Sequence, residues 1–223
     1  RMADTSEDMP VRVGLVGLGG VCAGVHYPGL RAIPGVLVAG ICDTDPKRLA
    51  SRRAEWGIGT AAADLEALLR TVRLDALVIA TPNDTHRQLV LTGVAAGCHV
   101  LCEKPLALDC GQAMTMLEAA EEAGVRHMTA FTYRFVPGMR YLRHLVHSGT
   151  LGQVRHARFQ RLQYWGESPI GWRQYRQRAG SGEVADMGIH RLDLAEDLLG
   201  PMRSVCALTR RLLARDRLAD GTA

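Results

Sequence analysis

Two short segments of the chain contain the residue types that proton chemistry needs. In VLCEKPLALD, Lys104 follows a short apolar run. In VADMGIHRLDLAED, Asp186 and His190 are four residues apart, so on a helix they project from one face. Histidine is the side chain best suited to proton transfer near neutral pH. The alternatives are a surface lysine and a solvated polar stripe held by salt bridges.

The elements around Lys104 predict a parallel sheet. Apolar runs that alternate with helical segments predict six strands, at about residues 11–16, 36–42, 59–61, 75–82, 99–103 and 125–132. Asp45 and Asp109 are predicted helix caps, and Asn83 or Asp84 caps the helix after the fourth strand. Alternating strands and helices indicate βαβ units, so we expect Lys104 at the carboxyl end of the fifth strand, where ligands bind in such sheets.

The loop after the first predicted strand has the spacing of a dinucleotide-binding turn. VGLVGLGGVC places Gly17, Gly19 and Cys22 in a G-x-G-x-x-C pattern. The first glycine permits a tight turn, and the second lets the backbone approach a pyrophosphate. Asp43, 26 residues after Gly17, ends the second strand and can bind the ribose hydroxyls. The alternative is a purely structural turn. The predicted loop contacts are Gly17, Leu18, Gly19, Gly20, Val21 and Cys22.

The charges near Asp43 bear on the choice between NAD and NADP. An acid at this position repels a 2′-phosphate, which favours NAD. Thr44, Lys47 and Arg48 follow closely and can accommodate NADP, or they can be the solvated start of a helix. We therefore expect NAD, with NADP possible.

After Thr132 the pattern changes to mixed helical and β-prone segments, which predicts a second, α+β domain. We place the domains at residues 1–131, for the dinucleotide, and 132–223, for substrate binding. The last segment, ARDRLADGTA, is loop-like, so we expect the second domain to be incomplete.

Composition excludes several classes of protein. The 223 residues are 47% hydrophobic and 22% charged, with a net charge of +4, and the basic residues are spread along the chain. We expect a globular protein without nucleic acid, and no run reaches the ~18 apolar residues of a membrane helix. Six cysteines without paired spacing predict buried thiols, no metal site and a reducing, cytoplasmic location.

Further segments carry a family resemblance. VIATPNDTH, CHVLCEKPLALD and FTYRFVPGMRYLRHLVHSGTLGQVRHAR, with GLGG and DMGIH, resemble the Gfo/Idh/MocA oxidoreductases, from about residue 11 to 210. The resemblance implies an N-terminal Rossmann domain and a C-terminal domain with an open, mainly antiparallel sheet, a face often used for dimerisation. It implies hydride transfer between NAD(P) and a hydroxyl-bearing carbon of a sugar, cyclitol or related polyol, in a homo-oligomer.

The resemblance also implies roles for individual residues. Lys104 contacts the substrate hydroxyl beside the nicotinamide, before a proline bond that is often cis. His190 is the general acid/base, and Asp186 orients it or binds substrate. The expected cofactor contacts after strands four and five are Thr81, Pro82, Asn83, His86, Glu103 and Lys104. A helix-capping turn is the alternative for the first of these, and pairing with a nearby cation is the alternative for Glu103.

Several aromatic and arginine residues are expected to line a polyol pocket. They are Tyr133, Arg134, Tyr164, Trp165, Trp172 and Arg173, and simple packing of the tryptophans is the alternative. A non-catalytic dinucleotide-binding regulator is the competing hypothesis for the whole protein. The presence of Lys104, Asp186 and His190 argues against it, since a sensor needs the glycine loop but not these three residues.

Overall fold

A computed structural model describes residues 9–163 and 171–210 of the chain. The chain forms two compact units, Arg1–Ala130 and Phe131–Ala223. Each unit is described below by itself.

The first unit contains a six-stranded parallel sheet in the order β3-β2-β1-β4-β5-β6. Its strands are β1 (Val11–Val16), β2 (Val36–Cys42), β3 (Ala61–Ala62), β4 (Ala76–Ile79), β5 (His99–Cys102) and β6 (His127–Thr129). All five neighbouring pairs are parallel. The chain order reverses between β1 and β4, which is the switch point where doubly wound sheets bind ligands. The predicted doubly wound α/β fold is confirmed.

Five helices connect the strands. They are α1 (Tyr27–Arg31), which follows a π-helical turn at Cys22–His26, α2 (Pro46–Trp56), α3 (Leu65–Thr71), α4 (His86–Ala95) and α5 (Cys110–Glu122). The predicted caps are confirmed at Asp45 and Asp109, whose carboxylates accept backbone N–H groups of the first helical turn. Such caps stabilise a helix by about 1 kcal/mol each.

The predicted cap at Asn83 or Asp84 is wrong. A 3₁₀ turn, Asn83–Thr85, precedes α4, and Thr85 occupies the N-cap position without a side-chain capping bond. The Thr85 hydroxyl instead contacts Thr81 Oγ1 and the Pro82 carbonyl, each at 2.7 Å. The Thr85 hydroxyl therefore bonds within the turn that precedes α4 and does not cap the helix.

Apolar side chains cover both faces of the sheet. Leu15 and Ile41 pack on one face and Leu77 and Ile79 on the other, and all four are fully buried. Burial of such a side chain contributes about 1.5–3 kcal/mol. This core holds the carboxyl ends of β1, β2, β4 and β5 at one edge, which is where the polar loops described below begin.

The second unit is helical in the residues described. It contains α6 (Pro137–His147), α7 (Arg176–Ala179), α8 (Ile189–Leu199), 3₁₀ turns at Thr132–Phe135 and Trp172–Gln174, and a π-helical turn at Val184–Gly188. The β-prone segments at 152–163 and 203–210 form no strand in the described structure, since propensity without a pairing partner does not make a ladder. Tyr164 and Trp165 lie outside the described residues. Within the described ranges, no helix has the length and apolarity needed to cross a membrane.

Candidate active site

The first glycine of the loop after β1 cannot carry a side chain. Gly17 has φ +83°, and a Cβ there would lie 2.6 Å from the Ala80 carbonyl oxygen and 2.7 Å from Cγ2 of Thr81. Its N–H donates to the Cys42 carbonyl at 2.9 Å. The turn is therefore fixed between the ends of β2 and β4 and requires glycine for both space and backbone conformation.

The described residues give no reason of space or backbone conformation for glycine at the next two glycine positions, Gly19 and Gly20. A Cβ on Gly19 or Gly20 would meet no protein atom within 4 Å, so the described residues leave open space beside this backbone. Close approach of a pyrophosphate is the reason for glycine that the dinucleotide fingerprint supplies. The loop residues therefore fit a dinucleotide.

The remaining loop residues divide by burial. Leu18 and Cys22 are buried in the core cluster under the loop, whereas Val21 is exposed. Burial raises the pKa of the Cys22 thiol to about 12, with smaller effects of Arg52 and Asp43 that oppose each other. Leu18 and Cys22 therefore shape the loop with their side chains, and only their backbone is available to a ligand.

The acid after β2 is held by four contacts. Oδ2 of Asp43 accepts the Leu18 N–H at 2.8 Å, and Oδ1 accepts the Asp45 N–H at 2.8 Å. Nη1 of Arg48 lies 3.1 Å from both oxygens. Asp43 is only 5% exposed, whereas the Arg48 side chain is 45% exposed. The predicted ribose-binding carboxylate is thus tied to the glycine loop and carries a partly exposed cation beside it.

His86 connects two loops at this edge. The residue is fully buried, with Nδ1 2.9 Å from the Pro105 carbonyl oxygen and Nε2 3.0 Å from the Thr81 carbonyl oxygen. A side chain enclosed in this way cannot touch a ligand. This corrects the expectation that His86 contacts the cofactor. Its ring lies between the turn at Thr81, Pro82 and Asn83 and the segment at Pro105.

Glu103 pairs with a histidine, the second of its two predicted alternatives. Its Oε1 lies 2.8 Å from Nε2 of His26, and both side chains are largely buried. Burial acts to raise the pKa of Glu103, but the hydrogen bond and charge of His26, with the N–H and charge of Lys104, outweigh it. The pKa of Glu103 is therefore lowered. Sequence reasoning missed His26, and its only signal is a place in the first helical turns after the glycine loop.

Lys104 lies directly beside this pair. It is the second residue after the carboxyl end of β5, directly after Glu103, and it is half-buried. Its peptide bond to Pro105 is cis, as the resemblance implied. The structure thus brings the glycine loop, Asp43, the turn at 81–83 and Lys104 to the same edge of one sheet.

The second unit brings most of its own predicted residues together. His190 is buried, with its ring centroid 5.0 Å from that of Tyr133. Oδ2 of Asp186 accepts a hydrogen bond from Nε of Arg173 at 3.2 Å, and the Arg173 guanidinium lies over the Trp172 ring at 4.3 Å. One predicted substrate-binding residue, Arg173, is therefore in contact with the predicted acid, and a second, Trp172, is in contact with Arg173.

Arg134 has a different environment from the one we expected. Its guanidinium binds Asp193 through Nη2 at 2.6 Å and through Nε at 3.0 Å, and the Asp193 side chain is nearly buried. A bidentate pair of this kind uses the planar fork of arginine for structure. Hydrogen bonding to Asp193 raises the pKa of Arg134 further. The pair ties the turn at Thr132–Phe135 to α8.

The sheet order, the glycine loop and the acid after β2 define a dinucleotide-binding protein of the Rossmann class. Residues 11–131 match the oxidoreductase family with an NAD-binding Rossmann fold, and residues 139–223 match the GFO/IDH/MocA C-terminal domain. The chain belongs to the Gfo/Idh/MocA oxidoreductases, which confirms the resemblance seen in the sequence.

Curated relatives align along most of the chain. Levoglucosan dehydrogenase from Pseudarthrobacter phenanthrenivorans is 28% identical over 96% of this chain and 57% of its own length. 1,5-Anhydro-D-fructose reductase from Ensifer adhaerens is 32% identical over 94% of this chain and 63% of its own length. The chain thus spans about three fifths of these relatives.

Solved structures show the same fold. An oxidoreductase domain protein from Kribbella flavida superposes with a TM-score of 0.80 and 34% identity, covering 86% of this chain and 54% of its own. Levoglucosan dehydrogenase in complex with NADH and levoglucosan superposes with a TM-score of 0.74 and 27% identity, with the same coverages.

Proposed function

We propose that the protein, at the full length its gene encodes, transfers hydride between NAD and a hydroxyl-bearing carbon of a sugar, cyclitol or related polyol. The observation that carries this proposal is Lys104 at the carboxyl edge of the sheet, tied through the neighbouring Glu103 to His26, which follows the glycine loop. A positive group beside a nucleotide loop is what stabilisation of a developing alkoxide needs.

The first unit holds the cofactor in this proposal. When bound, NAD supplies the hydride acceptor and NADH the hydride donor. The backbone of Gly19 and Gly20 accommodates the pyrophosphate, because no side chain occupies the space beside it. The Asp43 carboxylate accepts hydrogen bonds from the ribose hydroxyls, and its negative charge favours NAD over NADP. The turn at residues 81–83 lies at the same edge and lines the cofactor site.

Lys104 makes the substrate hydroxyl more acidic and stabilises the charge that remains on oxygen as its proton leaves. Its ammonium is a compact charge with three donors, which suits a single hydroxyl oxygen. The adjacent Glu103 is occupied by His26. Glu103 is therefore assigned to placing Lys104 and not to contact with the cofactor.

In the second unit, His190 takes the proton from the substrate hydroxyl in the oxidative direction and returns it in the reductive one. Asp186 binds or orients the substrate together with Arg173, to which it is hydrogen-bonded. The described contacts of Tyr133 with His190 and of Trp172 with Arg173 support roles in a pocket for a polyol. The guanidinium of Arg134 is bound to Asp193, so in this proposal Arg134 holds the turn that contains Tyr133 against α8.

The names of several relatives support a carbohydrate or cyclitol substrate. They include D-glucoside 3-dehydrogenase from Escherichia coli and myo-inositol 2-dehydrogenase from Thermotoga maritima, besides the two relatives above. We assign the dinucleotide to the first domain and the substrate to the second. An open, mainly antiparallel sheet in the second domain, a homo-oligomer formed through it and a cytoplasmic location are parts of the same proposal. The free cysteines agree with a reducing compartment.

The proposal is tested with the full-length gene product. NADH binding is measured first, and the protein is then incubated with NAD and a panel of anhydrosugars, glucosides, aldoses and inositols while NADH absorbance is followed. We expect NADH formation with at least one member of the panel, and reoxidation of NADH by the corresponding ketone. Tight NADH binding without turnover of any member would favour the regulatory alternative instead.

A further inference from the structure

The segment 103–105 leaves the sheet at the end of β5. Beyond Glu103, hydrogen bonds to side chains take the place of the backbone hydrogen bonds between strands. The Glu103 N–H still donates to the Ile79 carbonyl at 2.8 Å. The Lys104 N–H instead donates to Oε2 of Glu103 at 3.2 Å. The backbone position of Lys104 therefore depends on what holds the Glu103 side chain before it and the Pro105 carbonyl after it.

A histidine holds each of these two groups. His26 lies 2.8 Å from the Glu103 carboxylate and comes from the first helical turns after the glycine loop. His86 lies 2.9 Å from the Pro105 carbonyl oxygen and 3.0 Å from the Thr81 carbonyl oxygen. We call His26 and His86 the histidine anchors. Each connects the lysine segment to a different loop of the proposed cofactor site.

Burial makes both contacts rigid. His26 is 9% exposed and His86 is fully buried, so both contacts are largely shielded from water. A neutral imidazole carries one N–H, so His86 donates to the Pro105 or to the Thr81 carbonyl according to its tautomer, and to both only as the imidazolium; the placement of Lys104 uses the Nδ1–H tautomer. Buried polar groups keep their hydrogen-bond partners because an unpaired group costs about 1–3 kcal/mol. Lysine itself has a flexible four-carbon side chain, and a catalytic group misplaced by about 1 Å can cost about 100-fold in rate. A rigid backbone on both sides is therefore what the placement of its ammonium requires.

We propose that His26 and His86 are positioning residues that hold Lys104 in a fixed place relative to the glycine loop and the turn at 81–83. This inference rests on the proposed function of Lys104. The alternative is that both histidines only fill the core and satisfy nearby polar groups.

Paired substitutions separate the two contacts of His86. An asparagine amide nitrogen reaches about as far as Nδ1, and a glutamine amide nitrogen about as far as Nε2. His86→Asn should keep a donor for Pro105 and retain kcat within about tenfold, whereas His86→Gln should keep only the Thr81 contact and lose about 100-fold in kcat. The Kd for NADH should stay within about threefold in both. His99→Asn, at the opposite end of β5, is the matched control.

The second anchor is tested in the same way. His26→Gln keeps a donor near the place of Nε2 and should retain kcat within about tenfold, whereas His26→Ala removes it and should lose about 100-fold. Equal losses in kcat for the conservative and the disruptive variants, in parallel with a lower melting temperature, would assign both histidines to the core and overturn the proposal.

A readout that needs no turnover uses the lysines. The 223 residues contain two, Lys47 and Lys104, and after reductive methylation with isotope-labelled methyl groups their NMR signals are assigned as those lost in Lys47→Arg and in Lys104→Arg. We expect the Lys104 signal to shift in His86→Gln and His26→Ala while the exposed Lys47 stays unchanged. An unchanged Lys104 signal in both variants would refute the positioning role. This signal decides the role of the anchors even if no polyol is oxidised and the proposed function fails.

Discussion

The carboxylate of Asp43 accepts the backbone N–H of Leu18 at 2.8 Å, so the acid after β2 is bound directly to the glycine loop after β1. Arg48 contacts both oxygens of the same carboxylate. The two halves of the dinucleotide fingerprint are therefore one hydrogen-bonded unit. Its charge is set by an acid and an arginine together, and this has consequences for the choice of cofactor.

Arg48→Gln should weaken NADPH binding more than NADH binding. Arg48 offsets the charge of Asp43, and without it the carboxylate repels a 2′-phosphate more strongly. A partly exposed ion pair is worth about 0.2–1 kcal/mol, so we expect about a 1.4-fold to fivefold larger loss for NADPH than for NADH, measured by fluorescence titration. Lys47→Gln removes one positive charge from the same helical turn and should change the ratio less. Equal ratios in the two variants would contradict the prediction.

Substitutions at Gly17 and Gly19 should separate stability from binding. Gly17→Ala places a Cβ 2.6 Å from the Ala80 carbonyl oxygen at a positive φ, so we expect destabilisation by about 1–3 kcal/mol in chemical denaturation. Gly19→Ala meets no protein atom and should leave the free energy of unfolding within about 0.5 kcal/mol, while NADH binding weakens at least about tenfold. Gly24→Ala, also in open space but inside the helical turn Cys22–His26, is the control: it should leave NADH affinity unchanged and raise the free energy of unfolding by at most about 1 kcal/mol. Full NADH affinity in Gly19→Ala would show that the pyrophosphate does not approach there.

Lys104→Ala should abolish turnover and leave NADH binding largely intact. The ammonium acts on the substrate hydroxyl in our proposal, and loss of one such electrostatic contact typically costs about 100- to 1,000-fold in kcat. Steady-state kinetics and NADH titration measure the two effects separately. Lys47→Ala, which removes the chain's other lysine, should leave kcat unchanged. A normal rate in Lys104→Ala would remove the lysine from the mechanism without affecting the assignment of the cofactor site.

His86 should make the protein less stable as the pH falls below about 6.5, the ordinary pKa of histidine. Burial lowers the pKa of His86, and the Pro105 and Thr81 carbonyls, the Glu103 charge and the Leu106 carbonyl offset this only in part. Between the lowered value and about 6.5 the unfolded chain binds more protons, so stability is complete above that window and declines through it on acidification, by at most about 1.4 kcal/mol per pH unit.

The measurement is the free energy of unfolding of the protein and of His86→Asn at a series of pH values. The difference between the two should shrink on acidification through this window, because asparagine does not titrate. The lowered pKa of Glu103 contributes separately, since its stabilisation is lost only as the pH falls below about 4.3, the ordinary value for glutamate. A difference that does not change with pH would contradict the shift at His86.

The amino-acid sequence alone determined the parallel sheet, the glycine loop and the acid at Asp43. These features depend on neighbours in the chain: apolar runs alternate with helical segments, and glycine spacing specifies a turn. The caps at Asp45 and Asp109 were predictable for the same reason, since a capping side chain reaches an N–H only two or three residues away. The β-prone segments of the second unit were not, because a strand needs a pairing partner.

Only the tertiary structure decided which side chains meet at the proposed site. Glu103 and His26 are 77 residues apart, Arg134 and Asp193 are 59 apart, and His86 proved to be an enclosed anchor and not a cofactor contact. Such pairings depend on which loops the parallel sheet collects at its carboxyl edge and on which side chains the core encloses there. Spacing along the chain records neither, so the sequence could propose Lys104 as the reactive group but not the histidines that contact Glu103 and Pro105 on either side of it.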